Sequence, residues 1–472
     1  MDSKDYNNLA KETVNKTKKI YDLIAGNFIF TNINDADVKG SESSEYVSSI
    51  LIPILTGIVG GKQLIFGNPG NGKTTTTELV SSLLYGFPLN TVISNAEIHG
   101  HPEITAEDLF GSLSMPDMKS MNWSPFTQFP YFKIVDEVNR LSGKQQDMLL
   151  NLADRGVSKY LDKTLITPKT ALYATANYED SGNTEIIPPL KDRFDVSIEM
   201  HQLGPLERIL LKNKSYEQSI LEDKEISDKI TAELAKVIPY EEKLERVDEL
   251  SKQFSKNLEH KLDSKFGADS YSAISREELN KTREYIEGIP FSQDADIYLA
   301  VIQSELARPD GKERIPGREN IAYDSHYKNT EYAFNKVRKD VSNRFTESLA
   351  KYSRAYAWFE MADTVEPKHM SIVLPYMLAH RVIFTDTLKA GQEGISSLEA
   401  AKQVSDGISE RYTASMDEFR TAYGFFVSAT ESGIKKRDIK EITIKLDSLG
   451  KISDHPFIGQ LKRYLTSLYV GG

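Results

Sequence analysis

The chain has 472 residues, with 58 Lys and Arg against 69 Asp and Glu for a formal net charge of -11, 39% hydrophobic side chains and no cysteine. That length carries roughly three domains' worth of structure, and the acidic balance supplies no global basic field to recruit nucleic acid or anionic lipid. The absence of thiols excludes disulfides, cysteine nucleophiles and Cys-ligated zinc or iron–sulfur clusters.

The first residues are polar and acidic and lack the apolar core of an export signal. The most apolar stretch, Val47 to Val59, is interrupted by Ser48, Ser49, Pro53, Thr56 and Gly57. It falls short of the ~20 residues that span a bilayer and reads as a buried helix. A cytoplasmic protein with no membrane partner is expected. Residues 1–40 form an N-terminal segment without a clean period, and the GSESSE run from Gly40 to Glu45 marks the start of the compact region. Over 41–205, helix-like stretches alternate with the apolar runs Gln63 to Phe66, Leu89 to Ile93, Tyr131 to Val135 and Thr170 to Thr175. That alternation predicts an α/β core with a largely parallel sheet. A charged helical insertion is expected over 206–284, where Leu244, Val247, Leu250, Phe254, Leu258 and Leu262 recur at helical spacing. Its charge runs read as a solvated spacer or a partner-docking arm. A helical domain over 285–385, with a polar loop from Gly311 to Asn320, and a C-terminal extension over 386–472 complete the reading.

Gly67, Asn68, Pro69, Gly70, Asn71, Gly72, Lys73 and Thr74 fit G-x-x-x-x-G-K-[ST], between a predicted strand and the helical run that starts through Thr75. Glycines let backbone N–H groups wrap an anion at a helix N-terminus, Lys73 reaches terminal phosphates and Thr74 ligates Mg²⁺. The residues from Gly67 to Thr75 are therefore the candidate ATP site. The strand Phe132 to Val135 ends in Asp136 and Glu137, one carboxylate for a metal-bound water and one to activate an attacking water. That pairing suggests hydrolysis. Asn177 closes a third strand, and Arg193 follows the Pro188–Pro189 turn. The eight histidines show no HExxH or other helical metal-ligand spacing, which disfavours zinc catalysis.

The order P-loop, Asp-Glu, strand-end Asn and Asp192-Arg193-Phe194 resembles an AAA+ ATPase, and the details resemble the MoxR family of the helix-2-insert clade. Val135 to Arg140 resembles the family's DEINR signature, and Ile104 to Gly111 resembles the segment before its helix-2 insert, which places that insert at about 112–130. Ser353-Arg354-Ala355 resembles the lid's SPRA, and Leu378 to Arg381 its L-x-H-R. The resemblance implies a P-loop AAA+ core with a helical lid, ATP and Mg²⁺ as cofactors, Thr74 and Asp136 at the metal, and Glu137 as base. Asn177 would be the first sensor, Arg193 a finger acting on the neighbouring subunit and Arg354 the second sensor. His99 falls near the polar position that closes the second strand of such proteins, where a hydrogen-bonding core histidine is an equal reading.

The resemblance further implies a homo-oligomeric ring, expected to be hexameric, that remodels a protein client with a separate von Willebrand factor A domain protein. Tyr352 and Ser353 replace the usual Ser-Pro before Arg354, and Ile186 to Lys191 departs from the family's approach to the finger. A nucleic-acid motor of the same clade is the first alternative, with Val157 to Pro168 as its hairpin, but Asp162 partly offsets Lys159 and Lys163 and nucleic acid is disfavoured. A nucleotide-gated scaffold with little turnover is the second.

Overall fold

A computed structural model describes residues 3–28, 36–40, 44–113, 120–178, 184–209, 218–307, 331–338, 340–385, 388, 396–432 and 436–470. The expected loop from Gly311 to Asn320 lies outside them. The chain divides into two compact units, 1–289 with 354–362, and 290–353 with 363–472.

The first unit is built on five strands: β1 (Lys62–Gly67), β2 (Glu97–His99), β3 (Phe132–Asp136), β4 (Ala171–Ala176) and β5 (Val196–Met200). They pair in the order β5-β1-β4-β3-β2, every pair parallel. Strands covered on both faces read as continuous apolar runs, and β4 is buried at every position. Helix α1 (Ser3–Leu23) precedes the sheet, and α2 (Ser48–Val59), mostly apolar, is buried at every position, as the sequence predicts. Helix α3 (Lys73–Tyr85) follows the P-loop and packs on α2 and β3. The register pairs Ala176 with Phe66 and Ala174 with Val135. The carboxyl ends of β1, β3 and β4 therefore lie side by side, the edge where open α/β sheets bind ligands.

Among the described residues three antiparallel strand pairs lie outside the sheet, the first of them Ala36–Lys39 with Glu45–Val47. Gly111–Leu113 pairs with Met121–Trp123 inside the stretch expected to hold the insert, part of which (114–119) lies outside the described residues. Val157–Tyr160 pairs with Lys163–Ile166 across a turn in which Leu161 and Asp162 both have positive φ, the geometry of a primed hairpin turn.

The compact region begins earlier than Gly40, because α1 packs against α2 and α7 (Arg276–Gly288). The described residues of the 206–284 stretch do not form a solvated spacer. Among its described residues, α5 (Lys224–Ala235) and α6 (Tyr240–Phe266) lie on the α/β core with α7. Ser251 Oγ donates to the Tyr85 and Gly86 carbonyls at 3.0 and 2.9 Å, and Tyr271 donates to Leu83 O at 2.8 Å. Arg283 is buried and donates to Gly57 O, Ile58 O and Lys169 O at 3.0, 2.7 and 2.9 Å. The first two of those acceptors lie in the last turn of α2, where helix carbonyls lack intrahelical partners.

The second unit is helical. Helix α8 (Gln293–Leu306) packs against α10 (Pro367–Leu378), α11 (Ser397–Ala414) and α14 (Pro456–Val470). The expected lid and C-terminal extension thus share one compact unit. Between α8 and α10 in sequence runs α9 (Asn343–Phe359), of which 343–353 belong to the second unit and Arg354 onward to the first.

Candidate nucleotide-hydrolysis site

The P-loop joins β1 to α3, with Asn68, Pro69, Gly70 and Gly72 exposed and Asn71 half-buried. Gly70 and Gly72 have φ of 81° and 77°, the left-handed region, and a side chain at either would point into open space. A glycine-rich turn with room before it is what an anion cradle of backbone N–H groups requires. Asn71 Nδ2 ties the loop to the end of β5 by donating to Met200 O at 2.8 Å. Lys73 is buried, and its ammonium donates to Gly67 O at 2.9 Å, Asn68 O at 3.0 Å and Asn177 Oδ1 at 2.8 Å. Burial lowers its pKa, which the Asp136 and Glu137 carboxylates partly offset.

Asp136 closes β3, where its Oδ1 accepts from Thr74 Oγ1 and Thr175 Oγ1, both at 2.6 Å. Glu137 follows with φ 51° and ψ 50°, an unusual conformation for a side-chain-bearing residue that is held because its N–H donates to Thr175 Oγ1 at 2.8 Å. Its Oε1 accepts from Asn177 Nδ2 at 2.7 Å, and Arg140 Nε lies 2.9 Å from its Oε2. Asn139 Nδ2 donates to Asn177 O at 2.9 Å, which joins the β3 turn to the end of β4. Gly100 N–H donates to Asp136 O at 2.7 Å, and a side chain at Gly100 would strike the Glu137 carbonyl. Of the residues singled out in the sequence, Lys73, Thr74, Asp136, Glu137 and Asn177 thus form one connected cluster, and Thr75 continues the first turn of α3. Thr175 and Arg140 were not singled out for a role. The only local signal for Thr175 is its place near the end of an apolar strand, and for Arg140 its place in the run that resembles DEINR.

His99 corrects the alternative of a core histidine. Its side chain is 68% exposed, with Nδ1 3.1 Å from Asp136 Oδ2 and Nε2 3.4 Å from Glu97 Oε1. Glu97 is buried, and burial with the nearby Glu78 and Asp136 carboxylates pushes its pKa up to about 9.

The two arginines each donate to a backbone carbonyl. Arg193 follows the short helix Pro188–Lys191 and donates through Nη1 to Pro189 O at 2.8 Å. Arg354 Nε donates to Ile289 O at 2.9 Å, within the first unit.

The residues fit Mg²⁺ and a nucleotide triphosphate. A hydroxyl and a carboxylate already share one point at Thr74 and Asp136, and the ammonium sits beneath an open glycine cradle. That donor set of hard oxygens suits Mg²⁺. No described helix is long and apolar enough to cross a membrane.

Residues 62–194 match the family described as AAA domain (dynein-related subfamily). No curated protein matches the chain. A crystal structure from Cytophaga hutchinsonii ATCC 33406, described provisionally as that of an ATPase, matches with a TM-score of 0.51 at 19% identity, over 84% of this chain and 94% of that one. At that identity the likeness is one of fold. Residues 62–194 therefore form an AAA domain, a P-loop α/β core within a chain whose C-terminal region is helical.

Proposed function

We propose that the chain is an ATP-hydrolysing, MoxR-like remodelling factor that works as a homo-oligomeric ring, expected to be hexameric, on a protein client. A separate von Willebrand factor A domain protein is its proposed partner. The observation that carries the hydrolytic reading is the convergence of Thr74 and Thr175 on Asp136, beside a Glu137 carboxylate held 2.7 Å from the Asn177 amide.

In this reading bound Mg²⁺ would neutralise charge on the β- and γ-phosphates. Lys73, whose ammonium donates to Gly67 O, Asn68 O and Asn177 Oδ1, would turn these donors, that to Asn177 included, to phosphate oxygens, and Thr74 and Asp136 would orient the metal-ligand sphere. Asn177 holds the attacking water with its amide, and Glu137 takes that water's proton. Arg193 reaches the neighbouring subunit's nucleotide, and Arg354 serves as a second sensor on its own. The remodelling role is tested by purification with a Glu137→Gln trap beside the unaltered protein. The proposal expects a client and a von Willebrand factor A domain protein enriched on the ATP-loaded trap. Enrichment of nucleic acid in place of protein would overturn it.

A further inference from the structure

The turn after β3 binds its own base. Arg140 N–H donates to Glu137 O at 2.8 Å, and the same turn folds the Arg140 side chain back so that Nε lies 2.9 Å from Glu137 Oε2. The other carboxylate oxygen accepts from Asn177, whose own Oδ1 accepts from Lys73. An ammonium has three N–H donors, and those of Lys73 go to Gly67 O, Asn68 O and Asn177. Lys73, Asn177, Glu137 and Arg140 thus stand in one line of contacts that runs from the P-loop to the turn after β3.

A phosphate competes with Asn177 for a Lys73 donor. Once the Asn177 amide turns, Arg140 is the contact that still keeps the carboxylate on its own turn, and the oxygen it engages is directed at the guanidinium instead of at an attacking water. We propose that Arg140 is a positioning residue acting through Glu137, a latch that holds the base in a resting position which hydrolysis must break. The proposal rests on the reading of Glu137 as the base. The two side chains are 44% and 30% exposed, and pairs that open to solvent contribute little. The latch is therefore weak enough to open in every cycle, and its removal is worth roughly two- to fivefold in rate.

The test is steady-state ATP hydrolysis with Mg²⁺ by the full chain carrying Arg140→Ala, Arg140→Lys, or Glu137→Gln together with Arg140→Ala. Arg140→Ala is expected to raise kcat roughly two- to fivefold with KM for ATP unchanged. Arg140→Lys, which keeps the charge and loses the guanidinium geometry, should fall between. Arg140→Gln repeats the test should the alanine variant fail to fold. A kcat that falls in the folded variants, or stays at the starting value, overturns the latch. If the unaltered chain has no measurable turnover, the latch requires Arg140→Ala to gain it, and silence in both overturns the proposal too. Turnover that survives in the double variant removes the reading of Glu137 as base instead.

Discussion

Two carboxylate–arginine pairs, one in each unit, use the same groups in opposite surroundings. Glu137 and Arg140 sit at a sheet edge, 30% and 44% exposed, with each carboxylate oxygen held by one donor. Glu305, on α8, is fully buried. Its Oε1 accepts from Arg411 Nε at 2.9 Å, its Oε2 from Arg411 Nη2 at 2.5 Å and from Ala333 N at 3.1 Å, and His455 Nε2 lies 3.1 Å from Oε1. The His455 ring packs edge-on against Tyr332 and Phe419. An exposed pair costs little to break, whereas removing one partner of a buried pair strands a charge in low dielectric. The first arrangement suits a group that must move in each cycle, and the second suits a joint that must not.

The largest expected effect concerns Arg193. If it acts in trans, Arg193→Ala should bind ATP and hydrolyse it about 10³- to 10⁵-fold more slowly. Mixing it with Lys73→Ala subunits should restore part of the activity, because one interface then joins an intact pocket to an intact arginine. Mixed rings that form and remain inactive would return Arg193 to a local role beside Pro189.

The buried joint comes next. Glu305→Ala should cost about 3–5 kcal/mol in the second unit's unfolding by urea, whereas Glu137→Gln should change stability by less than about 1 kcal/mol. Equal losses would erase the contrast. The pH dependence has a definite sign. Burial raises the Glu305 pKa, but the His455 and Arg411 contacts outweigh it and the net shift is downward. A carboxyl whose folded pKa is depressed stabilises the fold above its unfolded value and loses that contribution as pH falls through the folded one. The second unit's melting temperature should thus drop as pH falls below about 4, more steeply than in Glu305→Gln. A smaller effect, of about 1–3 kcal/mol, is expected for Gly100→Ala, whose new methyl meets the Glu137 carbonyl. Wild-type stability and turnover in that variant would mean that the β2–β3 approach is looser than the hydrogen bond from Gly100 implies.

The parts of the site that lie contiguously in sequence were legible there. The P-loop carries its glycines, lysine and threonine in one run, and Asp136, Glu137 and Asn177 each end an apolar strand. The parts made by distant segments were not. Leu244, Val247, Phe254, Leu258 and Leu262 mark a face of α6 that the structure buries, but periodicity does not say what covers it. Charge runs on that helix read as solvated because Lys243 and Ser251 find partners in the core more than a hundred positions away. Arg283 likewise looks like any helix-surface arginine until α7 lies against the end of α2. The role of Thr175 depends on the β3–β4 register, which places its hydroxyl between Asp136 and the Glu137 N–H.

The central claim, that binding and chemistry reside in separate members of one cluster, is tested most directly by ATP binding and single-turnover hydrolysis in Lys73→Ala and Glu137→Gln side by side. Lys73→Ala should keep its fold by circular dichroism and lose measurable ATP binding. Glu137→Gln should bind ATP as the unaltered protein does and hydrolyse it about 10²- to 10⁴-fold more slowly. Near-normal turnover in Glu137→Gln, or unchanged ATP affinity in Lys73→Ala, would contradict the account.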